Sequence, residues 1–327
     1  MKAPLPPLVA WMRARMAGRA APVLAVLERR ASARDPFVKY LFETPRGERI
    51  EAVRIPLRDP ARFTVCISSQ AGCAMACDFC ATGRLGGGRN LEPEEILDQV
   101  LHVAAELPAA TRLSGAVYQG MGEPLANYAA VTASAAALAH PAGTAIGAGA
   151  ITVSTVGVVP AIQRFTAEGW RMRLSFSLGA ATPEKRRAVM PIEERWPLAA
   201  LMEAVRAHAA ARRTRANLAY VLIRGFNCGE EDARALGALV GDLPARLDLI
   251  DCNRVGPYEP PSDDERAAFR DALQRWLPGV PIARRYSGGQ DVAGGCGMLA
   301  AHQEGGEVRT PEAGRVAGTR WWWDTAG

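Results

Sequence analysis

Three cysteines lie close together in the sequence, at Cys73, Cys77 and Cys80. Thiolates separated by four and then three residues can bind one face of a cubane iron–sulfur cluster. A structural zinc site usually has four ligands, typically arranged as two separated pairs, so a set of three favours a cluster over zinc. Three protein ligands leave one iron of a [4Fe–4S] cluster free to chelate a small molecule.

The other four cysteines are spread along the chain, and the total of seven is odd. An odd count argues against a framework of structural disulfides and agrees with a metal or redox centre. Cys66 precedes the three-cysteine loop on a predicted strand, whereas Cys296 is flanked by glycines, which favours an exposed and mobile thiol. We interpret Cys228 and Cys252 as ordinary buried cysteines.

Strand-like and helix-like patterns alternate from residue 64 onward, which predicts a parallel sheet with right-handed crossovers. The predicted strands are 64–69, 115–119, 151–156, 172–178, 217–223, 246–253 and 280–286. The predicted helices are 93–106, 127–140, 160–168, 198–212, 230–240 and 263–276. About six such units suit an α/β fold with a partial (β/α)6 barrel, whose functional groups lie at the carboxyl ends of the strands.

Polar residues and glycines recur at these predicted strand ends. Gly122 and Glu123 follow the second strand, and the Glu123 carboxylate could pair with the α-ammonium of S-adenosylmethionine (SAM). Ser154, Ser177 and Asn253 end the third, fourth and sixth strands. Each of these residues alone is also explained by turn chemistry. Their recurrence at one end of a barrel favours contact with a ligand.

The first 60 residues are predicted to form an extension of the barrel, which we place at 61–299. A basic amphipathic pattern over 8–34 predicts a helix, either packed on the core, which we favour, or facing RNA. Two strand-like runs, 38–43 and 50–55, then predict a β-hairpin. Residues 300–327 are predicted to be an extended tail, in which Trp321–Trp323 either anchor the tail to the body or stack on bases.

Composition narrows the class of protein. The 327 residues are 49% hydrophobic and carry a formal charge of +5, which is compatible with a nucleic-acid partner without indicating one. No apolar run reaches the roughly 18 residues that a membrane span needs, and the N-terminus lacks the pattern of a signal peptide. We therefore expect a cytoplasmic protein without a membrane partner.

Taken together, these motifs resemble the RlmN/Cfr family, the class A radical SAM methyltransferases that act on adenine C2 of rRNA and tRNA. The matching stretches are 50–56, 66–73, 120–125, 152–157, 190–192 and 291–297. The resemblance implies a [4Fe–4S] cluster on Cys73, Cys77 and Cys80, two SAM molecules per turnover, an RNA substrate, and a one-electron donor such as flavodoxin or ferredoxin.

The resemblance also implies roles for single residues. Cys296 would be methylated by the first SAM and would then carry the methylene that is added to the substrate carbon. Cys66 would attack the Cys296 sulfur and release the product through a transient disulfide. Glu51 matches the catalytic carboxylate of the family. The positions that match its SAM contacts are Gly122, Glu123, Ser154, Ser177, Leu178 and Asn253.

Three departures from the family pattern bear on the substrate. Fewer residues precede the hairpin than in the N-terminal RNA-recognition domain of the family. Gly179 stands where the family has histidine, and Cys252 stands where it usually has tryptophan. A small molecule or a peptide is therefore the alternative substrate for the same chemistry. A third possibility, a binding protein without turnover, conflicts with the complete set of five functional cysteines.

Overall fold

The computed structural model describes residues 5–144 and 146–300, and ten of its strands form one continuous sheet. In spatial order they are β1 (Ala25–Ala31), β2 (Val38–Glu43), β3 (Arg49–Pro56), β4 (Arg62–Ile67), β7 (Arg112–Tyr118), β8 (Ile151–Thr155), β9 (Arg173–Ser177), β10 (Ala216–Leu222), β11 (Ala245–Asp251) and β12 (Ile282–Arg285). Strands β5 (Gln70–Ala71) and β6 (Arg89–Asn90) pair separately, next to the end of β4.

Nine α-helices lie among the described residues. They are α1 (Pro7–Met16), α2 (Ala81–Leu85), α3 (Pro93–Ala105), α4 (Tyr128–Ala139), α5 (Val159–Ala167), α6 (Pro183–Val189), α7 (Leu198–Arg212), α8 (Glu230–Val240) and α9 (Asp263–Trp276). Strands β4, β7, β8, β9, β10, β11 and β12 run parallel. Each neighbouring pair of them is connected by one of the helices α3, α4, α5, α7, α8 and α9. The predicted alternation of strands and helices is confirmed, with six crossovers.

The sheet alternates between an apolar outer face and a more polar inner face. On β8, all five residues are buried. Val153 belongs to the main hydrophobic core, whereas Ser154 lines the central cavity. Because successive side chains of a strand point to opposite faces, this alternation packs one face on the helices and leaves the other to line the lumen.

The N-terminal extension differs from its prediction. The helix predicted over 8–34 is wrong beyond α1, because the chain turns at Gly18 (φ 68°) and continues as strand β1. Pro22, which lacks a backbone N–H, also disfavours a continuous helix here. Val9 and Met12 of α1 are buried in the core, so this helix packs on the body as the favoured interpretation expected.

The predicted hairpin of β2 and β3 is present, and β1 adds a third antiparallel strand to it. Strand β3 also pairs with β4, so the extension continues the sheet of the barrel instead of forming a separate layer. Within the described residues, no helix is both long and apolar enough to cross a bilayer. The predicted tail, including Trp321–Trp323, lies outside the described residues apart from position 300.

Candidate active site

The three-cysteine loop begins just after β4 and ends at α2. A Cβ atom at Gly83 would lie 2.5 Å from the carbonyl oxygen of Cys77, so the return of the chain under the loop requires glycine. Asp78, inside the loop, pairs with Arg84 at 2.8 Å and accepts a hydrogen bond from the Tyr258 hydroxyl at 2.7 Å. Its backbone N–H donates to Val189 O at 3.0 Å. These contacts fix the loop at the carboxyl end of the barrel.

A cavity of about 950 Å³, partly open to solvent, lies at the carboxyl ends of the strands. Cys73, Cys77 and Cys80 line one side of it. In the described part of the chain, no three Cys, His, Asp or Glu side chains converge tightly enough to hold a single metal ion. Burial raises the pKa of all three thiols. The three thiols therefore share a cavity without forming a mononuclear site.

Glu123 lines the same cavity and is buried. Its Oε1 accepts the backbone N–H of Leu125 at 2.9 Å, and its Oε2 accepts that of Val156 at 2.9 Å. Burial raises the pKa of Glu123 to about 7, although these two hydrogen bonds act in the opposite direction. A buried carboxylate held in this way is suited to pair with a cationic group of a ligand.

The predicted strand-end residues largely come together. Gly122, Ser154, Ser177 and Asn253 all line the cavity with Glu123. Leu178 does not belong to this lining: it is buried, and its N–H and C=O bond to Ala219 O and to the Arg186 guanidinium. Its SAM contact therefore stays a prediction.

Cys66 and Cys296 line a second recess, of about 480 Å³. This recess shares Cys80 and Gln119 with the first cavity. Burial raises the pKa of the Cys66 thiol, and a negative charge on Cys296 would raise it further. Desolvation also raises the pKa of Cys296, whereas the Arg285 guanidinium lowers it.

The glycine-rich loop that carries Cys296 is anchored on both sides. The Asn253 side-chain amide donates to Cys296 O at 2.8 Å and to Ser287 Oγ at 2.9 Å. On the other side, Ala81 N–H, at the start of α2, donates to Gly297 O at 2.7 Å. Cys296 itself is exposed, as expected, while Cys66 is buried. The anchored backbone thus holds the Cys296 thiol at the recess.

Glu51 lies outside both recesses and is buried on β3. Its Oε1 lies 2.9 Å from the Lys39 ammonium. The two groups form an ion pair without the geometry of a hydrogen bond. Its Oε2 accepts the Ala300 N–H at 2.9 Å. The structure therefore does not bring this predicted catalytic carboxylate to the cavity, and joins it instead to the segment that follows the Cys296 loop.

Comparison with known proteins agrees with this arrangement. The sequence profile of the Radical SAM superfamily matches residues 67–236. A protein of Myxococcus xanthus named "Probable RNA methyltransferase" is 52% identical over 288 residues, which cover 88% of this chain and 79% of that protein. A "Probable dual-specificity RNA methyltransferase RlmN" of Heliobacterium modesticaldum is 41% identical, over 86% of this chain and 74% of that protein.

The chain belongs to the RlmN-like family of radical SAM methyltransferases. A crystal structure of a radical SAM methyltransferase from Sphaerobacter thermophilus superimposes with a TM-score of 0.82 at 35% identity. It covers 91% of this chain and 86% of that chain. The similarity therefore extends well beyond residues 67–236, which the superfamily profile matches.

The residues present fit the cofactors of a radical SAM methyltransferase. A cubane cluster has an iron at each corner, so its thiolate ligands bind different irons. Three cysteine thiols line one cavity, which fits this requirement. Cys73, Cys77 and Cys80 would hold the cluster, and Glu123, which lines the same cavity, would contact SAM.

One departure from the family pattern, Gly179, has a structural explanation. Gly179 has φ 72°, and a Cβ atom there would lie 2.2 Å from Met190 Sδ, so Met190 fills the space that a side chain would need. Cys252, interpreted from the sequence as an inert buried cysteine, is buried but also lines the cavity beside the cluster cysteines. The other such cysteine, Cys228, contacts Ile223 O within the core.

Sequence reasoning missed two supporting side chains of this methyltransferase. Arg186 is fully buried on α6 and donates to Val156 O and Leu178 O, which ties the ends of β8 and β9 together. Gln119 lines both recesses. A buried arginine gives no signal in sequence, since arginine is usually exposed. The polar residue directly after β7 was a signal that could have indicated Gln119.

Proposed function

We propose that the chain transfers a methylene group from S-methylated Cys296 to adenine C2 of an RNA and releases the product through a Cys66–Cys296 disulfide. The observation that carries this proposal is the shared recess: Cys66 and Cys296 line one recess, and Cys296 also lines the cavity of the cluster cysteines. A single methyl-accepting thiol would need no second thiol beside it.

The cofactors would supply one chemical capability, a reductively generated 5′-deoxyadenosyl radical that removes a hydrogen atom from the methyl group on Cys296. The remaining steps use residues of the chain. The Cys296 thiolate first attacks the methyl group of one SAM, S-adenosylhomocysteine leaves, and the positive charge of Arg285 favours the ionised form of Cys296. After hydrogen removal, its methylene carbon bonds to the electron-poor amidine carbon of adenine, and the adduct loses one proton and one electron, which the oxidised cluster would accept.

Cys66 then completes the reaction. Its thiolate attacks the sulfur of Cys296, the carbon–sulfur bond breaks, and the electron pair goes to the carbon, which takes up a proton to become the methyl group. The new disulfide must be reduced by two electrons before the next turnover. The Arg285 charge also lowers the pKa of Cys66, against the larger effect of burial.

Relatives support an RNA substrate. The proteins of Myxococcus xanthus and Heliobacterium modesticaldum described above are both named as RNA methyltransferases. The names of these two relatives give no support to the alternative, a small-molecule or peptide acceptor. We further propose a cytoplasmic location, two SAM molecules per turnover, and flavodoxin or ferredoxin as the electron donor.

The family pattern implies that Glu51 is catalytic, whereas this proposal makes that role depend on a change in its contacts. A proton-accepting role requires the Glu51 carboxylate to exchange its contacts with Lys39 and Ala300 for a contact with the substrate. Of the other predicted contacts, we propose that Gly122, Glu123, Ser154, Ser177 and Asn253 contact SAM from the walls they line.

The proposal is tested with cluster-reconstituted protein, dithionite, and SAM that carries a deuterated methyl group. The substrates are ribosomal and transfer RNA, and the product is identified by mass spectrometry of the digested nucleosides. Deuterium in 2-methyladenosine supports the proposal. Formation of 5′-deoxyadenosine without any labelled nucleoside from either RNA would overturn the RNA assignment.

A further inference from the structure

Three arginines, Arg173, Arg246 and Arg285, face the lumen of the barrel. In the parallel register, Asn217 of β10 lies opposite both Ser175 of β9 and Arg246 of β11. Since residues two apart on a strand point to the same face, Arg173 lies on the face of Ser175. Likewise, Asp248 lies on the face of Arg246.

The same register places Arg285 of β12 opposite Ile250 of β11. Ile250 lines the cavity of the active site. The face that carries Arg246, Asp248 and Ile250 is therefore the lumen face. Arg173 and Arg246 lie toward the amino ends of their strands, and Arg246 is four residues, or roughly 13 Å, from the level of Ile250.

The positive charges of this group exceed its negative charge. Asp248 pairs with Arg246 at 2.8 Å and with Arg285 at 3.3 Å. Arg173 forms no hydrogen bond or ion pair within residues 5–144 and 146–300. Burial lowers the pKa of Arg173, and the positive charges of Arg285 and Arg246 lower it further. Asp248 pairs with only two of the three guanidinium groups, and an added anion would relieve the repulsion among the three.

This cluster adjoins the thiols that would carry the chemistry. The positive charge of Arg285 lowers the pKa of both Cys66 and Cys296. Its guanidinium also lies 3.4 Å from Gln119 Oε1, on the lining that both recesses share. The Arg246 and Arg285 side chains are 50% and 37% exposed, so an anion can reach them from solvent. Guanidinium groups bind phosphate oxygens in a planar, two-pronged geometry.

We propose that Arg173, Arg246 and Arg285 bind a backbone phosphate of the RNA substrate from within the lumen. The inference rests on the proposed function, since it assigns a contact to the RNA that the enzyme would methylate. The phosphate would hold a nucleotide at the lumen while its base reaches Cys296. RNA would then approach the thiols from the amino-terminal side of the strands, opposite the cluster loop.

The test compares RNA binding by full-length, cluster-reconstituted variants, with bulk transfer RNA as the probe and KCl concentration as the variable. Loss of one phosphate contact lowers the slope of log K against log [KCl] by about 0.7–0.9. We expect this decrease in the double variant Arg173→Gln/Arg246→Gln. Arg173→Gln alone is expected to weaken binding at low salt several-fold, and Arg173→Lys is expected to restore most of it.

Arg284→Gln is the matched control. Arg284 is the neighbour of Arg285 on β12, but it pairs with Asp251 and lines a groove on the outer face of the sheet. The slope of log K against log [KCl] for Arg284→Gln should equal that of the unchanged protein. Iron content and circular dichroism identify variants that do not fold, and Arg173→Gln breaks no ion pair in the described residues.

The outcomes separate the two proposals. One outcome is that RNA binding by the unchanged protein depends on salt with the same slope of log K against log [KCl] as binding by the double variant. That result overturns the phosphate site and leaves the RNA methyltransferase proposal intact. An equal decrease in Arg284→Gln also overturns the phosphate site, because the effect would then reflect general charge. Absence of transfer RNA binding by the unchanged protein at low salt would count against both proposals.

Discussion

Replacing Asn253 should release the loop that carries Cys296. The Asn253 side chain donates to Cys296 O and Ser287 Oγ and accepts from Gln290 Nε2 at 3.1 Å. A hydrogen bond contributes about 0.5–1.5 kcal/mol net, so Asn253→Ala should weaken the anchoring by roughly 1.5–4.5 kcal/mol. Since 1.4 kcal/mol corresponds to a factor of ten, local opening should increase roughly tenfold to a thousandfold.

Hydrogen exchange measures this opening directly. The reporter amides are those of Gly294, Cys296 and Met298, which bond to Gly289 O, Ser287 Oγ and Gly295 O. Their exchange should accelerate in Asn253→Ala, whereas amides in the middle of β11 should be unaffected. The enzyme should also become uncoupled and form more 5′-deoxyadenosine per methylated product, because the thiol is no longer held at the recess.

Two further variants, Asn253→Asp and Gln290→Ala, separate the hydrogen bonds that Asn253 donates from the one that it accepts. Asn253→Asp keeps the acceptor for Gln290 but loses both donors, so it should show most of the effect. Gln290→Ala removes one of the three hydrogen bonds of Asn253, together with the longer contact of Gln290 with Ser287 O, and should show the smallest effect. Unchanged exchange of the Gly294 and Cys296 amides in Asn253→Ala would refute the anchoring role. Weaker SAM binding with unchanged exchange would instead assign Asn253 to the cofactor alone.

Three further predictions concern buried ionisable groups. The pKa of Glu123 is raised to about 7 by burial, so SAM affinity measured by calorimetry should rise as pH increases through about 7, and Glu123→Gln should remove this dependence. The pKa of His208 is lowered to about 4, chiefly by burial, so the folded state favours the neutral imidazole. Up to roughly 3 kcal/mol of the free energy of unfolding should therefore be lost as pH falls from 6.5 toward 4. Urea titrations of His208→Gln should lack this loss. Glu51→Gln leaves the Lys39 ammonium buried without its partner and should cost about 3–5 kcal/mol, whereas Lys39→Met/Glu51→Leu should regain much of that stability; methylation by the folded double variant would exclude a catalytic role for Glu51.

The barrel could be predicted closely because its signals are local. Helices α7, α8 and α9 begin and end where their patterns predict, and the seven parallel strands differ from prediction only near their ends. The prediction failed where the outcome depends on pairing between distant segments. Residues of β1 have a helical pattern of basic and apolar types, yet they form a strand because β2 offers an unpaired edge.

The site shows the same division. The cluster cysteines and the strand-end residues Glu123, Ser154 and Ser177 meet because parallel strands bring their carboxyl ends together. Side-chain direction was not predictable in the same way. Leu178 follows Ser177 and therefore points to the opposite face of the sheet, and Glu51 lies in an antiparallel strand whose contacts depend on Lys39 and on the end of the described chain.

The central claim, that Cys296 carries the methyl group and Cys66 releases the product, is tested most directly with Cys66→Ala. This variant is incubated with SAM, dithionite and RNA, digested with protease and nuclease, and analysed by mass spectrometry. The proposed mechanism predicts a stable adduct in which a methylene joins Cys296 to adenosine, and no released methylated RNA. Repeated turnover by Cys66→Ala at the rate of the unchanged enzyme, without an adduct on Cys296, would contradict it.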